Sequence, residues 1–178
     1  MFCPGPRRSY SEVSDVTVPA DYLWDVVADI EAMADIQAVV VGIELDNNKS
    51  APLAIGTRFR ETRVWQGSKY MLNKTITRLQ ATDPQERYLS FGMSFHDLGG
   101  RRTNAVETST LTVQSITKMR SRLILTVAFE WRGARACIEN FLCSCCIERK
   151  VRNLIQEEVE CYCKAAIERH LAQAEIVT

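Results

Sequence analysis

Between residues 10 and 131, hydrophobic and polar positions alternate in short runs broken by turn-forming residues; after Gly133 the period lengthens to that of a helix. The first run, residues 11–18, sets polar residues against Val and Asp with a period of two, the pattern of a half-buried strand. Pro19 then introduces a helix over 20–29, in which Leu23, Trp24, Val27 and Ala28 share one face, and a second short helix is expected over 30–36. Residues 37–45 read as a strand that ends at the turn-forming Asp46-Asn47-Asn48-Lys49-Ser50. Further strands are expected at 56–66, 69–80, 87–96, 103–117 and 120–131. The breakers between them are Gln66-Gly67-Ser68, Thr82-Asp83-Pro84-Gln85, Asp97-Leu98-Gly99-Gly100 and the link Lys118-Met119. All suit hairpins, so the sheet should be an antiparallel meander. Residues 134–173 contain no Pro or Gly and predict one long helix, with a buried stripe of Phe141, Cys145, Val151, Ile155, Val159, Tyr162 and Ile167.

A sheet covered by one long helix and a helix pair turns one face of each strand inward. In 56–66, Arg58, Arg60 and Thr62 form the solvent set, which leaves Phe59, Glu61, Arg63 and Trp65 inside. Leu89, Phe91, Met93 and Phe95 oppose Tyr88, Ser90, Gly92, Ser94 and His96. The last strand turns Leu123, Leu125, Val127, Phe129 and Trp131 inward. In 103–117, Glu107, Ser109, Leu111 and Val113 share a face, although a slip of one residue would reverse that assignment. Charges on an interior face are costly unless paired or wet. Glu61, Arg63 and Glu107 therefore form either a structural ion-pair network or a ligand site. In the second case Arg63 would hold a carboxylate or phenolate, and Glu61 or Glu107 would act as general base.

The order of one strand, two short helices, six strands and a long C-terminal helix resembles the START-like, or SRPBCC, superfamily, which includes polyketide cyclases and aromatases, lipid-transfer domains and plant allergen-type ligand carriers. Three stretches are similar to its polyketide cyclase and lipid-transport branch. They are Val18-Pro19-Ala20-Asp21-Tyr22-Leu23-Trp24-Asp25-Val26-Val27-Ala28-Asp29, Ile55-Gly56-Thr57-Arg58-Phe59-Arg60, and Ile76-Thr77-Arg78-Leu79 ahead of Asp83-Pro84-Gln85-Glu86-Arg87-Tyr88-Leu89. The resemblance covers residues 10–171. It implies an α+β helix-grip fold, β-α-α-β6-α, with a curved antiparallel sheet of about seven strands around the long helix and a cavity for a hydrophobic ligand. It carries no catalytic residue with it.

Composition narrows the partners. Hydrophobic residues make up 46% of 178 residues, enough for one packed domain, expected over 10–173 with a flexible lead at 1–9 and a tail at 174–178. Lys plus Arg equals Asp plus Glu at 22 each, so no net field favours nucleic acid. No apolar run approaches the roughly 18 residues of a membrane span, and Met1-Phe2-Cys3-Pro4-Gly5-Pro6-Arg7-Arg8 lacks the core of an export signal, so a cytoplasmic protein is expected.

Seven cysteines, most of them on the long helix, suggest reduced thiols. Cys143 and Cys146 with Cys161 and Cys163 mimic a zinc spacing, but a continuous helix separates the pairs by roughly 22 Å. No metal is expected. Cys143, Cys145 and Cys146 read as small apolar helix residues, with lipidation or redox sensing as alternatives. His96 and His170 do not suit a nucleophilic triad, and no glycine-rich phosphate loop occurs, so no cofactor is expected. Gly99-Gly100-Arg101-Arg102 reads as a solvated turn, with a transient contact to a membrane or an acidic partner as the alternative.

The leading expectation is a monomeric or dimeric carrier of a lipid, polyketide or aromatic metabolite. Its cavity would be lined by Trp24, Phe59, Glu61, Arg63, Trp65, Phe91, Met93, Phe95, Glu107, Leu111, Phe129 and Phe141, and gated by the long helix and the loops at 38–50 and 97–102. One alternative is a cyclase or aromatase using Glu61 or Glu107 with Arg63. Another is a protein-interaction module on the same fold.

Overall fold

A computed structural model describes residues 8–46, 53–65, 67–96, 102–131 and 134–176. The elements run β1 (Arg8–Val16), α1 (Ala20–Ala28), α2 (Met33–Ile36), β2 (Val40–Leu45), β3 (Arg58–Trp65), β4 (Ser68–Gln80), β5 (Glu86–His96), β6 (Arg102–Thr117), β7 (Arg120–Trp131) and α3 (Ala134–Ile176). The strands form one antiparallel sheet in the order β1-β7-β6-β5-β4-β3-β2. This is the expected meander, with the first strand returning to pair with the last. Gly67 makes the turn between β3 and β4 at φ +77°, a conformation that a Cβ would strain.

The ends of elements shift for local reasons. β1 starts at Arg8, inside the expected lead, because Arg8 and Ser9 continue the ladder opposite Phe129 and Ala128. The second helix shortens to Met33–Ile36, since Asp29 Oδ1 accepts from the Ala32 amide at 3.1 Å and holds the preceding residues in a turn. The strand expected from residue 37 begins at Val40. Gln37 is instead a corner, its N–H donating to Met33 O and its carbonyl accepting from Val40 N, both at 2.9 Å. α3 is continuous to Ile176, three residues past the expected end, so the premise of the cysteine-pair separation holds.

The core lies between the concave face of the sheet, α1 and α3. Buried Leu23, Trp24, Val26 and Val27 of α1 meet Leu111, Leu123 and Leu125 of the sheet and Ile155, Val159, Tyr162 and Ala166 of α3. On α1 the expected face packs on the core, with Ala28 partly buried, and Val26 is fully buried beside it. One expectation for a helix face needs correction. Ile167 is 40% exposed, because it follows buried Ala166 by one residue and so stands about 100° round the helix from it. On the sheet, the expected outer residue Ser90 is buried, its hydroxyl 2.9 Å from Thr110 Oγ1. Among the described residues no helix is long and apolar enough to cross a membrane.

Candidate functional site

Strand register sorts the concave face into rows. Leu79, Leu89, Leu111 and Leu125 stand side by side, followed by Ile76, Phe91, Ser109 and Val127. The third row is Phe59, Lys74, Met93 and Glu107, and the fourth begins with Glu61 and Leu72. The face is thus apolar toward one end and charged toward β3 and β4. The chain alternates into this arrangement: Leu72, Lys74 and Ile76 are successive inward positions of β4, just as Phe59, Glu61 and Arg63 are of β3.

Glu61 is fully buried and receives two cations. Arg63 Nε donates to Oε1, and Lys74 Nζ lies 2.5 Å from Oε2. The second contact is a close, buried ion pair. The Lys74 ammonium also sits over two aromatic faces, 5.8 Å from the Phe59 centroid and 5.4 Å from that of Phe91, which themselves pack edge to face at 5.5 Å. From α3, Glu158 Oε2 accepts from Arg63 Nη1 and Nη2, each at 3.3 Å. Gln37 closes the group: its Oε1 accepts from Arg63 Nη2 at 3.3 Å, while its Nε2 donates to Glu158 Oε1 at 3.3 Å and to Tyr162 Oη at 2.9 Å. One network therefore ties the α2–β2 corner, β3, β4 and α3 together.

Charge in this setting is controlled by pairing. Burial alone would raise the Glu61 pKa, but Lys74 and Arg63 hold it at about 2, so it is a carboxylate at all ordinary pH. Burial opposes the Arg63 charge, and the carboxylates of Glu158 and Glu61 outweigh it, raising its pKa further. Glu107 differs. It is 7% exposed and Oε2 has no hydrogen-bond partner. Burial pushes its pKa up to about 8, with Arg63 and Lys74 opposing the rise and Glu158 and Glu61 adding to it. At pH 7 it is mainly a neutral carboxylic acid.

Of the residues singled out from sequence, Phe59, Glu61, Arg63, Phe91, Met93 and Glu107 come together in adjoining rows. Leu111 lies farther along the same face, and Trp24 reaches the core from α1. The side chains of Trp65, Phe95, Phe129 and Phe141 lie outside the described residues, as do those of Cys143, Cys145 and Cys146, most of the loop at 97–102 and part of that at 38–50. Of the two readings offered for Arg63, the geometry bears on the ion-pair network, because each of its three nitrogens donates within the protein. Sequence reasoning missed Lys74, Gln37 and Glu158. Lys74 was detectable from its place between Leu72 and Ile76, and Glu158 from its spacing with Ile155 and Tyr162; Gln37, in a corner, follows no period.

No protein-family model and no curated protein matches the sequence. Solved structures do match over most of the chain. The Zhui aromatase/cyclase from Streptomyces sp. R1128 aligns with a TM-score of 0.70 at 17% identity, covering 92% of this chain and 96% of that one. The fold is START-like. The START-like arrangement recurs in a START superfamily protein from Mycobacterium smegmatis, with a TM-score of 0.58 at 13% identity, covering 93% and 98% of the two chains. It recurs again in a norcoclaurine synthase point mutant from Thalictrum flavum in complex with a transition-state analogue, with a TM-score of 0.68 at 10% identity and coverage of 96% and 99%.

Proposed function

We propose that the chain binds a hydrophobic small molecule, of lipid, polyketide or aromatic type, in a cavity between the concave face and α3. The observation that carries this reading is Glu107 Oε2, a buried polar atom without a protein partner on a largely apolar face. Unpaired buried polar atoms cost about 1–3 kcal/mol, and small-molecule pockets combine apolar walls with a few such groups. An aromatase/cyclase and a norcoclaurine synthase share this fold, and a fold does not by itself fix an activity.

One observation favours an enzymatic second reading of the cyclase or aromatase kind. Glu107, with a pKa of about 8, is poised to exchange a proton near neutral pH, whereas Glu61 at about 2 is too weak a base. Native mass spectrometry of protein purified without detergent tests the binding reading. A retained small molecule is expected; no retained species and no saturable uptake of a neutral apolar dye would overturn it. Glu107→Gln then separates carrier from enzyme. A carrier loses affinity modestly, while an enzyme still binds the retained molecule but no longer converts it.

A further inference from the structure

We infer that the molecule held against the concave face is uncharged and presents a hydrogen-bond acceptor, a ketone, ester or ether oxygen, to the Glu107 carboxyl. This deepens the binding reading above and rests on it. The argument is one of charge balance. Among the described residues, the charged groups that act on Glu107 are Glu61 and Arg63 on β3, Lys74 on β4 and Glu158 on α3. They form two cations and two carboxylates already in contact with one another, so the cluster is neutral before a ligand arrives.

An anionic head group would enter beside two carboxylates and find both cations engaged. A cationic head would have to draw the proton from Glu107 and form a second buried ion pair close to Arg63 and Lys74, at a desolvation cost for both partners. A neutral acceptor meets neither penalty. It accepts a hydrogen bond from the Glu107 carboxyl, whose buried Oε2 has no protein partner, and leaves the paired charges as they are. Arg87, another inward-facing cation, keeps a buried Nε without a partner, but it lies at the other end of the sheet, where its Nη2 pairs with Asp21 at 2.5 Å. Arg8 shares the row of Glu107 but stands two strands away on the edge strand, about 10 Å distant.

The test uses three probes of equal chain length, 2-undecanone, undecanoate and undecylamine, competing for the neutral dye N-phenyl-1-naphthylamine on the full chain. At about pH 6.5, below the Glu107 pKa of about 8, the ketone should displace the dye at about tenfold lower concentration than either charged probe. The advantage should persist in Glu107→Gln, which keeps a donor. It should vanish in Glu107→Leu, and in the unmodified protein at about pH 9.5, where the donor is gone. Undecanoate or undecylamine binding as tightly as the ketone would overturn the inference, and so would a ketone preference indifferent to both Glu107→Leu and pH. If neither the dye nor any probe binds, the cavity reading itself falls and takes this one with it.

Discussion

Replacing Glu61 by Gln keeps the shape of the side chain and removes the charge on which two buried cations converge. The magnitude follows from the carboxyl itself. Its pKa falls from 4.5 to about 2, and at 1.36 kcal/mol per unit the native environment favours the ionised form by about 3 kcal/mol. Breaking a buried pair by neutralising one partner costs a similar amount, about 3–5 kcal/mol, because the other charge stays buried without compensation. Here that charge is Lys74, 4% exposed, since Arg63 keeps Glu158. Glu61→Gln should therefore lower the urea midpoint by about 1.5 M at a slope of about 2 kcal/mol per M, read by circular dichroism. Adding Lys74→Met to Glu61→Gln should recover at least half of the loss by removing the stranded ammonium. The pH dependence has a definite sign. A depressed carboxylate stabilises fully above its unfolded pKa of 4.5, and the stabilisation disappears as pH falls toward 2. A loss under about 1 kcal/mol in the single variant, or a double variant as unstable as the two single losses added, would refute the reasoning.

The Glu107 linkage runs the other way. A carboxyl raised from 4.5 to about 8 contributes stability that is full below pH 4.5 and lost as pH climbs through 8, by up to about 4–5 kcal/mol. Glu107→Gln should flatten that slope and be more stable than the parent at about pH 9 in the same denaturation assay. Tyr162→Phe removes the acceptor for Gln37 Nε2 and should cost about 1–2 kcal/mol, a fall in Tm of about 3–6 °C by calorimetry. Phe91→Ala deletes a 1%-exposed ring that packs on Phe59 and lies under Lys74, and should cost about 3–5 kcal/mol in chemical denaturation.

The sheet was legible in the sequence because burial on one face imposes a period of two, and the strands from Arg58 to Trp131 carry it clearly. Glu61 and Glu107 stood out as charges at inward positions. Their partners were harder to read. Lys74 obeys the same alternation, but a lysine in a polar-looking strand draws no notice until the neighbouring rows are aligned by register. Glu158 lies on a helix whose exposed face is also rich in Glu, so only its spacing from Ile155 and Tyr162 marks it. Gln37 acts through a corner of the backbone, where no periodic signal exists. The choice between ion pair and ligand anchor for Arg63 was open for a related reason, because the residues it donates to come from the α2–β2 corner, β3 and α3, far apart in the chain.

The return of β1 to β7 has a consequence for how the molecule is made. Val13 faces Ile124 across the ladder, with more than a hundred residues between them, whereas β3 to β7 are joined by short-range hairpins. On a ribosome the first strand emerges early and stays without its partner until β7 has been synthesised. Tyr10 and Val16, buried in the finished core, are meanwhile open to other chains. Defects in β1 should therefore be felt chiefly as faster unfolding and as losses during synthesis, with little effect on how quickly the central hairpins assemble.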